Sequence, residues 1–271
     1  QQDKAFKKAI TTLSLEAKIK RLNSPIPAQF QGKTIREVQI DRKNKAIAAS
    51  HSVKLVAHET STKPNAATAI PKPIALTFDD GPWPTTTSQV LDILKKNNVK
   101  ATFFVVGQQV EKYPQLVKRV VSEGHAVGNH TWNHQYHFFN EADAARELDE
   151  TSKLIYKITG VKTSLFRPPA GILTNGLVSY AHAKKYGIIM WSVDSIDWRY
   201  YRSGTQGLIE SVLKEAKPGG IVLMHDGGGD RETTVQALPS IISKLKQHGY
   251  KLVTVPELLE MGSKESQTTQ G

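Results

Sequence analysis

Cysteine is missing from all 271 residues of the chain. Its absence excludes disulfides, thiolate metal sites and cysteine nucleophiles, and it suits either redox compartment. Also missing is any apolar run of about eighteen residues, so no transmembrane helix is expected. No apolar signal-peptide core follows Gln1. The expectation is a cytosolic chain, or the mature or trimmed form of an exported one. G-x-S-x-G does not occur, so no serine nucleophile on a strand-to-helix elbow is expected.

What is present suits one large α/β domain with an appendage, or two small domains, since 39% of the residues are hydrophobic. The net charge of +11 is unevenly spread. Residues 1–70 hold 13 Lys+Arg against 5 Asp+Glu, a balance of +8, and residues 71–271 hold 23 against 20, a balance of +3. A basic N-terminal arm is either a solvated, solubilising segment or an attraction to a polyanion such as an anionic wall polymer or lipid headgroups. No aromatic interleaving or nucleic-acid motif accompanies it, so nucleic acid is not expected as a partner.

Along residues 4–22 the apolar positions Phe6, Ile10, Leu13, Ala17 and Leu22 have helical spacing. Ser24-Pro25-Ile26-Pro27 ends that helix. Residues 33–48 read as a hairpin about a charged turn, and 57–73 as a polar linker or long surface loop. The expected domains are therefore 1–70, a basic N-terminal extension and linker; 71–262, the main domain; and 263–271, a polar frayed tail. From Ile74 the pattern alternates. Strands are expected at 74–78, 102–106, 125–128, 164–167, 188–193, 221–224 and 251–255. Helices are expected at 87–98, 113–123, 141–159, 175–186, 205–216 and 235–247, with Gly124, Gly160, Gly187 and Gly249 suiting C-terminal caps. About seven β/α units in a row predict an α/β fold with a parallel sheet, and their number favours barrel-like closure.

In such folds catalytic groups gather at the C-terminal ends of strands, and the unusual polar residues fall there. Asp79-Asp80 ends the first apolar run, where Gly81-Pro82 stops the strand. Buried carboxylates lose hydration and need a cation or several donors. His130 and His134 are four apart, a spacing that would set both imidazoles on one face of a helical turn. Two imidazoles and one carboxylate form a common three-ligand zinc set. One of Asp79 and Asp80 would complete it and the other could act on water activated by the metal. His137 is a nearby alternative ligand. His225 closes another buried run as a candidate general acid, with Asp194 and Asp197 both candidates for its carboxylate partner. Arg167, also at a strand end, would be costly to bury alone, and Asp79 is a suitable partner. Trp198 could wall a pocket or fill the core. A backbone N–H at the Pro169-Ala170 turn could donate to an oxyanion. Metal, water, base and acid together describe metal-assisted hydrolysis of a carbonyl compound, with an amide preferred because an amine leaving group most needs a proton.

With these residues assembled, the chain resembles the polysaccharide deacetylases of the NodB-homology type, carbohydrate esterase family 4. The resemblance covers about residues 72–260. It rests on five motifs in order: TFDDG at 77–81, HTWNH at 130–134, RPPAG at 167–171, DSIDW at 194–198 and the L-x-H segment Leu223–His225. It implies a distorted (β/α) barrel of about seven strands, with residues 1–70 as a small helical and hairpin extension. It also implies N-deacetylation of acetylated amino sugars in a polysaccharide, with release of acetate. Peptidoglycan is the expected polymer, with chitooligosaccharide or acetylxylan as alternatives. A catalytically silent wall-binding protein is the reading from another class. One divalent metal is implied, zinc first, with cobalt or nickel as alternatives. By this resemblance Asp79 is the general base, Asp80, His130 and His134 are the metal ligands, and His225 is the general acid. Arg167 positions Asp79, Asp197 tunes His225, and Trp198 and Leu223 line the acetyl pocket, with Pro169 and Ala170 beside it. Ala170 stands where the family usually has tyrosine. The substrate class implies an extracytoplasmic location, with the basic arm against an anionic wall.

Overall fold

A computed structural model describes residues 72–200 and 204–268. The expected N-terminal helix, the hairpin and residues 57–71 of the linker lie outside the described residues. Lys72 and Pro73, assigned to the linker from composition, instead begin the first strand. Proline is tolerated there because a strand's first residues need not donate to the ladder.

The order of elements is β1 (Lys72–Asp79), α1 (Thr86–Lys96), β2 (Thr102–Val105), α2 (Gly107–Lys112), α3 (Pro114–Ser122), β3 (Ala126–Asn129) and α4 (Glu141–Ala145). A π-helical turn, Arg146–Glu150, joins α4 to α5 (Thr151–Thr159). There follow β4 (Leu165–Phe166), α6 (Leu177–Ala183), β5 (Gly187–Ile188), β6 (Val193–Asp194), α7 (Asp197–Tyr200), α8 (Gln206–Glu215), β7 (Gly220–His225), α9 (Glu232–Gln247), β8 (Tyr250–Val253) and α10 (Val255–Thr268). All described strand pairs are parallel, in the order β5-β4-β3-β2-β1-β7-β6, with β8 beside the first half of β1. No ladder joins β5 to β6 among the described residues, so the sheet is an open barrel.

The pleat sorts the core. Along β1, Ile74, Leu76 and Phe78 pack outward with Val90, Leu91 and Leu94 of α1 and with α8 and α9. Ala75 faces inward with Phe104, Ile221 and Val253, and the period of two puts Thr77 and Asp79 on that same inner face. The α1 sequence forms its helix for the matching reason: buried Thr87, Val90, Leu91 and Leu94 recur at helical spacing, and Lys95 and Lys96 meet the C-terminal end. In β3, Gly128 is inward, and a Cβ there would stand 2.5 Å from the Phe104 ring.

Three expectations need correction. The apolar run 188–193 is two short strands, not one. β5 pairs with β4 and β6 pairs with β7, while Ile189–Ser192 crosses the open seam between them. Composition alone could not show the break, because Ser192 is the one polar residue in an otherwise apolar segment. The helix expected at 113–123 is preceded by a separate helix, α2, and Pro114 starts α3. Finally, a frayed tail was expected from residue 263, but α10 runs on to Thr268, with Val255 and Leu258 closing the inner core. No helix among the described residues is long and apolar enough to cross a membrane.

Candidate active site

Asp79 ends β1, and its register neighbour across the β1–β7 ladder is His225. Neighbouring strands lie about 4.8 Å apart, so these inward side chains share one mouth of the barrel. Asp79 Oδ1 accepts from Arg167 Nη1 at 2.7 Å, and Arg167 is fully buried. The rest of the guanidinium is also held. It donates to Thr77 Oγ1 at 2.7 Å and to the carbonyls of Ile189 and Met190 at 3.0 and 3.4 Å. Its carbon lies 4.1 Å from the Phe104 ring centre. Thr77 in turn donates to the Val222 carbonyl.

Asp80 cannot continue the pleat, since its carboxylate would then face the opposite side. It takes a left-handed conformation, φ 73°, which turns it back toward Asp79. The loop after β7 seals this turn. A Cβ on Gly228 would meet Asp80 Oδ2 at 2.4 Å, and one on Gly227 would meet the Asp80 carbonyl at 2.3 Å. Asp80 Oδ1 is buried and has no hydrogen-bond donor. It lies 3.4 Å from His130 Nε2 and 3.1 Å from His134 Nε2. Burial pushes this carboxyl up, but His134, then His130 and His225, outweigh it and hold the group well below the usual carboxylate range.

The two histidines do not sit on a helical turn. Residues 130–140 form a loop in which Thr131 (φ 69°) and His134 (φ 56°) are left-handed. The loop, not helical spacing, brings the rings to 4.8 Å between centres. His130 is buried, with Nδ1 2.7 Å from the Arg167 carbonyl. A carbonyl only accepts, so Nδ1 carries the proton, and a neutral His130 presents the Nε2 lone pair to the site. His134 Nδ1 lies 3.2 Å from the Tyr136 hydroxyl. His137 is turned away: its Nδ1 is 2.8 Å from the Phe138 carbonyl and its ring stacks on Phe139.

On the other flank, His225 Nδ1 is 2.7 Å from Asp197 Oδ1. Asp197 Oδ2 accepts from the His225 backbone N–H at 2.7 Å and from Thr234 Oγ1 at 2.9 Å. Burial pushes the His225 ring down, but Asp197 more than reverses that, and the ring is raised to about 9. Burial likewise pushes Asp197 up, and His225 overrides it, so the carboxyl is lowered. Asp194 is not the partner. It ends β6, accepts the Ile196 N–H at 2.8 Å and takes a Glu215 oxygen on its own N–H.

The remaining expected residues lie on β7, on α7 and in a 3-10 turn, Pro169–Gly171. Leu223 is buried in β7, inward like His225. Trp198 follows Asp197 on α7 and is half-buried. Pro169 is buried, while Ala170 is exposed and left-handed at φ 52°. The 3-10 turn's hydrogen bonds run from Gly171 N to the Pro168 carbonyl and from Ile172 N to the Pro169 carbonyl, so they leave the Ala170 N–H out. Sequence reasoning set Asp226 beside His225 at a strand end and Thr77 in the first motif without giving either a role, and it missed Asn129, Tyr136, Glu147 and Thr234. Thr77, Asn129 and Asp226 carried a signal, being polar residues within or next to buried strands. Asp226 is raised to about 7 by burial, with one oxygen on Thr87 Oγ1 and the other unpartnered.

One potential ligand atom from each of Asp80, His130 and His134 thus converges, all within 4.8 Å of one another. Lone pairs facing lone pairs repel unless a cation lies among them, so this donor set fits a metal. An open parallel barrel with such a cluster at its strand ends marks a metal-dependent hydrolase of the (β/α) class. The family model for polysaccharide deacetylase matches residues 66–189. A Bacillus cereus peptidoglycan-N-acetylglucosamine deacetylase is 45% identical over 191 residues, covering 69% of this chain and 88% of that protein. The crystal structure of the Bc1960 peptidoglycan N-acetylglucosamine deacetylase with an N-hydroxybenzamide ligand superposes with a TM-score of 0.65 at 38% identity, over 69% of this chain and 88% of that one. The wild-type BA3943 structure, a CE4 family pseudoenzyme from Bacillus anthracis, superposes with a TM-score of 0.64 at 35% identity, over 70% of this chain and 66% of that one. The chain belongs to the polysaccharide deacetylase family, carbohydrate esterase family 4.

Proposed function

We propose that this chain hydrolyses the N-acetyl amide of N-acetylglucosamine units in peptidoglycan, releasing acetate, with a divalent metal held by Asp80, His130 and His134. The carrying observation is the convergence of those potential ligand atoms on one point, with Asp79 beside them and His225 its register neighbour. Family membership alone does not carry activity, since one structural relative is described as a pseudoenzyme. This chain has all five of these side chains.

Zinc is our choice of metal, because two imidazoles and a carboxylate leave a coordination position open. The metal supplies Lewis acidity to the acetyl carbonyl and lowers the pKa of water from 15.7 to about 7. The chain's own residues do the rest. Asp79 takes the proton from water at Oδ2, because Oδ1 is engaged by Arg167. Arg167 orients that carboxylate. His225 gives a proton from Nε2 to the leaving amine, since Nδ1 faces Asp197. The Ala170 N–H donates to the developing oxyanion, a role that needs no side chain. Leu223 and Trp198 border the acetyl group, and Pro169 shapes the turn beneath it.

A peptidoglycan substrate places the enzyme outside the cytoplasm. The basic residues 1–70 would add affinity for an anionic wall, so deleting them should weaken wall binding and spare activity on short oligosaccharides. Equal wall binding by the truncated chain would remove that idea. The central experiment is acetate release by metal-replete protein on peptidoglycan, chitooligosaccharides and acetylxylan in parallel. The highest kcat/KM is expected on peptidoglycan. A preference for another polymer would overturn the substrate, and no release from any would favour a silent wall-binding protein.

A further inference from the structure

The loop that carries both histidines is held in an unusual way. Its four consecutive backbone amides all donate to side chains: Thr131 N to Asn129 Oδ1 at 2.8 Å, Trp132 N and Asn133 N to Glu147 Oε2 at 2.8 and 3.1 Å, and His134 N to Thr131 Oγ1 at 3.1 Å. One carboxylate oxygen thus takes both amides in the middle of the span from His130 to His134. Glu147 is only 7% exposed, so a charge there needs donors, and these two amides meet that need. It lies in the π-helical turn Arg146–Glu150, inside an otherwise α-helical stretch. One residue too many in a turn shifts side chains around the helix axis, and such bulges recur at functional sites. The loop's carbonyls are held from α2, where Gly107 N and Gln108 N donate to the Thr131 and Trp132 carbonyls at 2.9 Å and the Trp132 ring packs on Gly107, so Glu147 supplies the matching hold on the amides. A hollow of about 330 Å³, lined by Trp132, Asn133, Glu147 and Glu150 among others, opens there.

We infer that Glu147 is the positioning residue for the metal-ligand loop. It fixes the backbone between His130 and His134, so both Nε2 atoms meet Asp80 before any metal arrives. The inference deepens the proposed function and rests on its ligand set. Glu147 touches neither substrate nor the reacting atoms, so its effect should appear in metal affinity and not in chemistry at full loading. Partners of this kind typically change metal affinity by about 10- to 100-fold.

The test is zinc affinity, by competition with a chromogenic chelator, on the full chain. Glu147→Ala should raise the zinc Kd by about 10-fold or more, while kcat at saturating zinc stays within a few-fold of wild type. Glu147→Gln keeps an acceptor oxygen and should recover most of the affinity. Glu147→Asp withdraws the acceptor by one methylene and should weaken zinc binding, which keeps the test open if the alanine variant does not fold. In metal-free protein, the amides of Trp132 and Asn133 should exchange faster in the alanine variant, with β3 unchanged. Leu148→Ala is the control: it is fully buried in the same turn and should lower stability without changing the zinc Kd. A wild-type zinc Kd in Glu147→Ala or Glu147→Asp overturns the inference, as does equal weakening in Leu148→Ala. Wild-type protein that binds no zinc overturns the ligand set instead, so the two failures are distinguishable.

Discussion

Arg167 donates to Asp79 at 2.7 Å in a place where the two side chains are 0% and 4% exposed. A pair taken so far out of water is strongly interdependent, because removing one partner strands the other's charge. Arg167→Met should destabilise the fold by about 3–5 kcal/mol in urea unfolding. The double variant Arg167→Met with Asp79→Asn should recover part of that loss. Additive losses would show that the two do not communicate.

Asp79 and Asp80 are sequence neighbours in different surroundings, so their substitutions should separate. Asp79→Asn is expected to keep its metal and lose about 10²–10⁴-fold in kcat, the range for a general base. His134→Ala should lose the metal, measured by elemental analysis after dialysis. His137 is not placed to substitute, since its ring is engaged with Phe138 and Phe139. A fully metallated His134→Ala protein would refute the ligand set.

His225 and Asp197 predict a pH dependence whose sign can be worked out. The His225 ring is raised to about 9 when folded, from 6.5 when unfolded. The stabilisation from this pair is therefore complete below about pH 6.5 and is lost as pH rises through about 9. Asp197→Asn should cost on the order of 3 kcal/mol near pH 6, and the gap from wild type should close at alkaline pH. In metal-free protein, an NMR titration of the ring should show its midpoint fall below 6.5 in that variant, because burial then acts almost alone. Asp80 also helps to raise His225, so adding zinc should lower the midpoint of the ring in the same NMR titration of wild-type protein.

Gly228 tests the wall behind the metal site. Its φ of 73° disfavours any Cβ by about 1–2 kcal/mol. The added carbon would also stand 2.4 Å from Asp80 Oδ2. Gly228→Ala should weaken metal binding by about 10-fold or more, read by calorimetry. Gly249→Ala, with a similar φ of 80° and open space at its Cβ, should cost comparable stability and leave the metal unaffected.

Much of this was legible in the sequence because the signals were local. The apolar run before Asp79 specifies a buried strand, and Gly81-Pro82 stops it. The alternation from Ile74 onward predicts parallel strands with their ends in common. What escaped depends on neighbours distant in sequence. Asp194 and Asp197 are both acids near one strand end, and only the ladder, with Asp194 opposite Leu223, shows which one reaches His225. The histidine spacing suggested a helical turn, but two left-handed residues made a loop. Glu147 looks like any helix-surface glutamate until the π turn carries it inward. The run 188–193 looks like one strand because its break is a change of partner, not of composition.

That break has a mechanical consequence. Around most of the sheet, the breathing of one strand is resisted by ladders on both sides. Across the seam between β5 and β6, the span from Ile189 to Ser192 takes up the movement instead. Two of its carbonyls, those of Ile189 and Met190, are tethered to the guanidinium that grips Asp79. Widening the seam stretches those tethers, so the elasticity of the barrel and the aim of the carboxylate form a single coordinate. A descendant that spread its cleft for a bulkier polymer would blunt that carboxylate in the same movement.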